Sequence, residues 1–442
     1  MEGESMNKIE APWGSIPDNW IISSVATEAK RVTDYVANGS FASLAENVEY
    51  KTEEDYAVLI RLVDYNNSFK GPFVFIDEKA YNFLSKSKLF GGEIIISNVG
   101  ANVGTVFLCP YLKYNMSLAP NSITVHFKGN DIFYYYWLRS KYGQHGIKSL
   151  ITGSAQPKFN KTAFRQMLIP VPPLDVQNQI AGILSSLDAK IETNNKLNDK
   201  LEEMAQAIFK SWFVDFEPFK DKPFHETELG MIPEGWEVST FSSIIEKLIS
   251  GDWGKETPTG NYVHKVACIR GCDFENIKNG LRGKTPERFI LERNFASKQP
   301  KPNDIVVEMS GGTATVSTGR ICYITKELLD QYEGDIVCTN FCKIVRPLKG
   351  WSQYLYYYWQ YKYDKKVMFC YENGTSGIKN FAINDFIDIE SLLIPPKDEL
   401  IKFNSIIDNI RVKIQMNGVE NTRLASLRDT LLPRLMSGEL IV

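Results

Sequence analysis

The chain lacks any apolar run approaching the ~18–20 residues that cross a membrane, and its opening residues MEGESMNKIE do not form a signal peptide. The Lys397-Asp398-Glu399-Leu400 run is internal and so is no retention signal. These absences read as a cytoplasmic protein without membrane contact. Histidine is scarce, with four residues and no H-E-x-x-H helix. There is no G-x-x-x-x-G-K-[ST] loop to cradle phosphates and no G-x-G-x-x-G turn opening a helix after a strand. An Asn/Asp-Pro-Pro-Tyr/Phe methyltransferase motif is missing too, because Pro172-Pro173 is followed by Leu174. The seven cysteines, an odd number, are expected to be reduced. His264, Cys268 and Cys272 are spaced by four, as are Cys338 and Cys342, but Cys268 and Cys272 read as strand residues. Such a spacing gives no shared helical face, so buried thiols are expected rather than a metal site. Asp304 and Glu308 lack the following lysine of a metal nuclease, and Asp304 reads as a strand start. No catalytic and no metal-binding residue is expected on this chain.

What is present is a seam. From Val176 to Trp212, apolar residues recur with alternating gaps of four and three: Ile180, Leu184, Leu187, Ile191, then Leu201, Ala205, Ile208 and Trp212. Asn194 and Asn198 fill the middle of the same stripe. This is the pattern of a coiled-coil helix, and about 40 residues at ~1.5 Å each make a rod of roughly 60 Å. Adding 223 to each position lands on Phe403, Ile407, Ile410, Ile414, Asn417, Asn421, Leu424, Arg428, Leu431 and Leu435. The entry repeats as well, Val171-Pro172-Pro173 against Ile394-Pro395-Pro396. Two such helices running antiparallel bring their asparagine layers together, and polar seam residues fix register at some cost in stability. The competing reading is two unrelated amphipathic helices, each packed on its own domain. Pro433 replaces Lys210 of the first copy, so the second helix is expected to bend or end near Leu432.

The rest of the chain repeats too. Ile16-Pro17-Asp18-Asn19-Trp20 returns as Ile232-Pro233-Glu234-Gly235-Trp236. Val58–Tyr65 and Ala267–Phe274 read as matching strands, as do Glu93–Ser97 and Asp304–Glu308. Gly-rich turns follow (Gly100 to Gly104; Gly311-Gly312), then Asn121–Phe127 against Asn340–Val345. Aromatic helix starts come next, Tyr134-Tyr135-Tyr136-Trp137 against Tyr356-Tyr357-Tyr358-Trp359, and read as core. Polar loops close each half, Gly153–Lys158 against Gly374–Lys379. The fold class is therefore α+β: two globular mixed domains, a tandem duplication, separated by two long helices forming an antiparallel coiled coil. The framework repeats while the contents differ, as two sites reading different things would require.

Two variable halves, each opened by I-P-x-x-W and closed by P-P and a long helix, resemble the specificity subunit of type I restriction–modification enzymes. Ile208-Phe209-Lys210-Ser211-Trp212-Phe213-Val214-Asp215-Phe216 and Leu431-Leu432-Pro433-Arg434-Leu435-Met436-Ser437-Gly438-Glu439-Leu440 add to the likeness, which covers nearly the whole chain. The resemblance implies a first target-recognition domain over residues 1–170, a long helix over 171–217, a linker over 218–235, a second recognition domain over 236–393, and a second long helix with tail over 394–442. It implies double-stranded DNA as ligand, read as a split site at fixed spacing, and two methyltransferase subunits as partners, with restriction (motor-nuclease) subunits where these are present. S-adenosylmethionine, ATP and Mg²⁺ would sit on those partners, and this chain would carry no cofactor. The alternatives are a self-contained DNA methyltransferase or nuclease, and a coiled-coil scaffold protein.

Net charge is only −3. By position, residues 15–165 carry 16 basic and 13 acidic side chains, residues 236–392 carry 20 and 19, and residues 166–235 carry 6 and 12. The acidity thus belongs to the first helix and its tail, and the halves are compatible with DNA. Residues 270–301 hold eight basic and four acidic side chains, the most basic stretch. Candidate DNA contacts are Arg270, Arg282, Lys284 and Arg288 there, Arg61 as the counterpart of Arg270, and Lys158 with Lys379 in the polar loops. For the arginines, pairing with Asp64 and Asp273 is an equal alternative.

Overall fold

The computed structural model describes residues 8–313, 315–374 and 378–440. The chain divides into two compact units, residues 1–189 with 424–442, and residues 190–423. Each unit holds the start of one long helix and the end of the other.

The first unit contains two four-stranded sheets. In one, Ala29–Asp34, Ser122–Phe127, Ile94–Ser97 and Val106–Leu108 pair antiparallel in that order. In the other, Val74–Ile76, Ala57–Ile60, Asn115–Leu118 and Lys88–Leu89 are neighbours, with the central pair parallel. Ala57–Ile60 and Ile94–Ile96 are fully buried apolar runs, the second all isoleucine, as expected of strands covered on both faces. The second unit repeats the plan. Ile245–Ser250, Cys342–Pro347, Ile305–Glu308 and Ile321–Tyr323 form the antiparallel sheet. Glu287–Leu291, Tyr262–Ile269 and Ile336–Cys338 form the other, again with one parallel pair. The duplication read from the sequence is thus a duplication of sheet topology.

The aromatic clusters begin the helices Asp131–Arg139 and Ser352–Asp364 and lie inside. Tyr134, Trp137, Tyr354 and Trp359 have no exposure at all. In the second unit the Arg411 guanidinium lies 4.1 and 4.3 Å from the ring centres of Tyr323 and Tyr356. Its Nε donates to Gln353 Oε1 at 2.6 Å, which ties the Ser352–Asp364 helix to the second long helix.

Both long helices run for 40 residues, Leu174–Phe213 and Lys397–Met436. The first begins directly after Pro172-Pro173, where Gln177 donates its backbone N–H to Pro173 and its side chain to the Pro172 carbonyl at 2.8 Å. In the second unit the helices run antiparallel. Asn194 Nδ2 donates to Asn421 Oδ1 at 2.9 Å, and Asn417 Nδ2 donates to Asn198 Oδ1 at 2.8 Å. Asn421 also donates to Asn195 Oδ1 at 2.9 Å. A slip by one turn would leave these buried amides unpaired at about 1–3 kcal/mol each. Ile407, Ile410 and Ile414 are buried in the same core as Ala205 and Phe209, with Leu201, Ile208 and Trp212 half-buried around it. Leu187, Ile191, Leu424 and Leu431 are half-buried as well. In the first unit, Ile180 and Leu184 share a core with Leu435 and Met436. Arg428 lies on the same seam and bonds Asp188 at 2.6 Å, and Asp188 also accepts from Tyr136 at 2.6 Å.

Three expectations need correction. The second long helix, expected to bend or end near Leu432, does not end there; it runs on to Met436 with Pro433 inside it. A proline in the last turn forfeits one hydrogen bond, and burial of Leu435 and Met436 beyond it compensates. Val58–Tyr65 and Ala267–Phe274 are not continuous strands. Each strand stops, at Ile60 and Ile269, and a helical turn begins under Arg61 and Arg270. The cause is Asp64 and Asp273, whose carboxylates accept the backbone N–H three residues earlier, a capping box. Cys272 therefore sits in an exposed turn and not in the strand.

The framework motifs become intelligible as docking pairs. Gly438, at φ +66, closes the second long helix with a left-handed turn. A Cβ there would lie 2.3 Å from Pro17 of the first I-P-x-x-W motif. In the second unit, Phe213, Phe216 and Phe219, at and after the end of the first long helix, pack around Trp236. Each motif tryptophan thus receives the end of the long helix contributed by the other repeat.

Cys272 and Cys370 are exposed, and the other five cysteines are buried. Burial pushes the Cys268 thiol up to about 12 and raises Cys109, Cys322, Cys338 and Cys342 further. Thiol labelling of the native chain at neutral pH is expected to modify Cys272 and Cys370 fast and the rest only after denaturation. Rapid labelling of Cys268 would contradict the burial.

Candidate DNA-recognition interface

The two units carry the same device. Arg61 Nε donates to Asp64 Oδ2 at 3.0 Å and its terminal nitrogen donates to Asp64 Oδ1 at 2.6 Å. That nitrogen also reaches the Pro72 carbonyl at 3.2 Å. Arg270 repeats this, with Asp273 at 3.1 and 3.3 Å and the Lys284 carbonyl at 2.8 Å. Of the two alternatives left open for these arginines, the geometry supplies the carboxylate pairing. It adds a second function, since each guanidinium clamps the far end of the loop that follows.

Those loops, residues 67–73 and 279–286, lead into the strands Val74–Ile76 and Glu287–Leu291. The second presents Arg282 and Lys284 to solvent. Arg282 lies 5.9 Å from the Tyr332 ring centre. Arg288, by contrast, is 7% exposed, its guanidinium 3.7 Å from the Trp253 ring centre and 3.0 Å from Glu256. Lys158 is exposed in a turn bridged to Thr152 and Val99. Lys379 begins a short strand and pairs with Glu372 at 2.7 Å. Glu372 also accepts the backbone N–H of Thr318 at 2.6 Å, so this lysine neutralises a carboxylate that is 5% exposed. Thr375, Ser376 and Gly377 of the second polar loop lie outside the described residues.

The geometry brings Arg270 to the loop that carries Arg282 and Lys284, through its bond to the Lys284 carbonyl. It sets Arg288 apart, under Trp253. Sequence reasoning missed an aromatic pair in the first unit. Phe90 and Tyr111 are 72% and 81% exposed. They border a cleft of about 440 Å³ whose walls include Arg31, Lys88 and His126. A Cβ on Gly91 would meet the Tyr111 ring at 2.4 Å, so the ring lies against the Phe90-Gly91-Gly92 backbone. The paired glycines beside a phenylalanine were the available signal. Among the described residues no group of three or more His, Cys, Asp or Glu side chains could hold a metal ion. No described helix is long and apolar enough to cross a membrane.

Two mixed helix–strand units of repeated topology each present an arginine-clamped loop. Residues 33–203 match the family described as type I restriction modification DNA specificity domain. The chain is 25% identical to the type I restriction enzyme MjaIX specificity subunit of Methanocaldococcus jannaschii, over 98% of this chain and 96% of that one. It is 30% identical to the MjaVIII specificity subunit of the same organism, over 59% and 65% of the two chains. The HindI specificity subunit of Haemophilus influenzae is 24% identical over 64% and 71%. The crystal structure of a type I restriction–modification S subunit from M. genitalium has the same fold, with a TM-score of 0.51 at 16% identity and 98% and 97% coverage. The chain is thus similar to type I restriction–modification specificity subunits over nearly its whole length.

Proposed function

We propose that this chain reads a bipartite DNA target and delivers it to methyltransferase subunits, without catalysing a reaction itself. One observation carries the reading: the same clamped loop occurs once in each unit, on units that share an uninterrupted helix. Two readers of one design with different loop contents suit two half-sites of different sequence. The long helices act in this reading as an antiparallel coiled coil whose length sets the spacer, because a stiff element fixes distance where a flexible linker would not. Domain boundaries follow the sequence division at residues 170, 217, 235 and 393. Two methyltransferase subunits, and restriction subunits where the host has them, bring S-adenosylmethionine, ATP and Mg²⁺. The complex works in the cytoplasm.

Arg282, Lys284 and Lys158 are the best placed for phosphate, being exposed and basic. Arg61 and Arg270 act through the loops they clamp. Lys379 would touch DNA only from within its pair with Glu372. Arg282→Ala and Lys284→Ala are expected to weaken binding to all duplexes, each reducing the salt slope of log K by about one. A change of sequence preference with an unaltered salt slope would contradict a phosphate role. The reading as a whole is tested by methylation mapping in a host carrying this chain with its methyltransferase partner. A split target methylated only when the chain is present supports it. S-adenosylmethionine binding by the purified chain alone would favour a self-contained enzyme instead.

A further inference from the structure

Loop 279–286 of the second unit is held at three points. Gly280, at φ +75, lies directly on the second long helix. A Cβ on Gly280 would sit 2.7 Å from the Ile414 carbonyl oxygen, and one on Gly418 would sit 2.2 Å from the Gly280 carbonyl oxygen. The obstruction is backbone against backbone, so no side chain can swing aside. Around this contact Gln331 Nε2 donates to the Gly280 carbonyl at 2.9 Å, and Gln331 Oε1 accepts from the Arg282 backbone at 3.2 Å. Asn198 Nδ2 donates to the Asn279 carbonyl at 3.2 Å, while its Oδ1 accepts from Asn417 at 2.8 Å. One amide therefore serves both the helix pairing and the loop. At the far end, Arg270 holds the Lys284 carbonyl. Arg282 and Lys284 are exposed between these fixed points.

The first unit is built differently at this point. Position 195, which corresponds to Gly418 by the offset of 223, is an asparagine. The counterpart loop is seated on its own core, where Tyr65 stacks on Phe107 at 4.7 Å and Phe69 joins them.

We propose that Gly418 and Asn198 are positioning residues for the second recognition domain: they seat its basic loop on the paired long helices, so that reading of one half-site depends on the register of those helices. The proposal rests on the reading that this loop meets DNA. Gly418 is glycine because the loop backbone occupies the space of a side chain. Asn198 is polar because a leucine there could hold neither the Asn279 carbonyl nor the Asn417 amide.

The test uses the full chain in complex with its methyltransferase partner. Two long-helix glycines are each changed to alanine: Gly418, and Gly182, around which a Cβ would meet nothing within 4 Å. Hydrogen exchange over residues 279–286 is measured, with affinity for a duplex carrying the mapped target and for duplexes with either half-site scrambled. Gly418→Ala is expected to speed exchange in the loop by about tenfold and to weaken target binding roughly tenfold. The penalty for scrambling the first unit's half-site should stay intact. Gly182→Ala should change neither quantity. Asn198→Asp, which keeps an acceptor for Asn417 and removes the donor to the Asn279 carbonyl, is expected to act in the same direction and covers the case in which Gly418→Ala fails to fold. Unchanged exchange in both variants would overturn the proposal, as would faster exchange with undiminished affinity. The broader reading is judged separately: if Arg282→Ala and Lys284→Ala weaken binding while Gly418→Ala does not, the seat is wrong and the DNA contact stands.

Discussion

Phe209→Ala is expected to lower the unfolding free energy of the second unit by about 3–5 kcal/mol. Phe209 is 1% exposed. Its ring lies 5.5 Å from Tyr358, 5.9 Å from Tyr354 and 6.2 Å from Phe403. It therefore touches the recognition core and the second long helix at once, from a place on the first. Truncation to alanine leaves a cavity lined by rings already fixed by other contacts, so little collapse can recover the loss. Urea unfolding followed by tryptophan fluorescence would read it directly, since Trp212 and Trp236 lie in the same core. A loss below ~1 kcal/mol, typical of exposed sites, would mean that the helix is not cemented to the domain as drawn.

Inserting one heptad into each long helix, before Asn194 in the first and after Asn421 in the second, is expected to lengthen the DNA spacer by about three base pairs. Seven residues at ~1.5 Å add roughly 10 Å, against ~3.4 Å per base pair. Both half-sites should be unchanged. The insertions must be matched, because the asparagine pairs Asn194–Asn421 and Asn198–Asn417 tie one helix to the other. A heptad in one helix alone would unpair them, at about 1–3 kcal/mol for each stranded amide. Methylation mapping supplies the readout. Altered half-sites with the old spacer would remove the idea that the helices measure distance.

The duplication, the long helices and their asparagine contacts were legible in the sequence because each is carried by periodicity, which a single chain displays openly. Strand ends were not. Val58–Tyr65 looks like one apolar run, and only the Arg61–Asp64 hydrogen bonds, local in sequence but invisible to a hydropathy pattern, show why it breaks. Of the bend or end expected at Pro433, the end does not occur: local propensity argued for it, and tertiary burial of Leu435 and Met436 prevailed. Among the candidate contacts, basic charge located the right loop but could not tell Arg282, which faces water, from Arg288, covered by an indole ring. That distinction depends on Trp253, thirty-five positions earlier in the chain. The exposed Phe90 and Tyr111 were overlooked because aromatic residues are more often core than surface.

The first unit is discontinuous, needing residues 424–442 to complete it, whereas the second is a single stretch of chain. During synthesis, then, the half made first waits for residues 424–440 to leave the ribosome before Leu435 and Met436 can cover Ile180 and Leu184. The half made later can mature sooner, reversing the usual amino-to-carboxyl order of domain folding. A stop codon placed before Leu424 would leave the first unit unfinished.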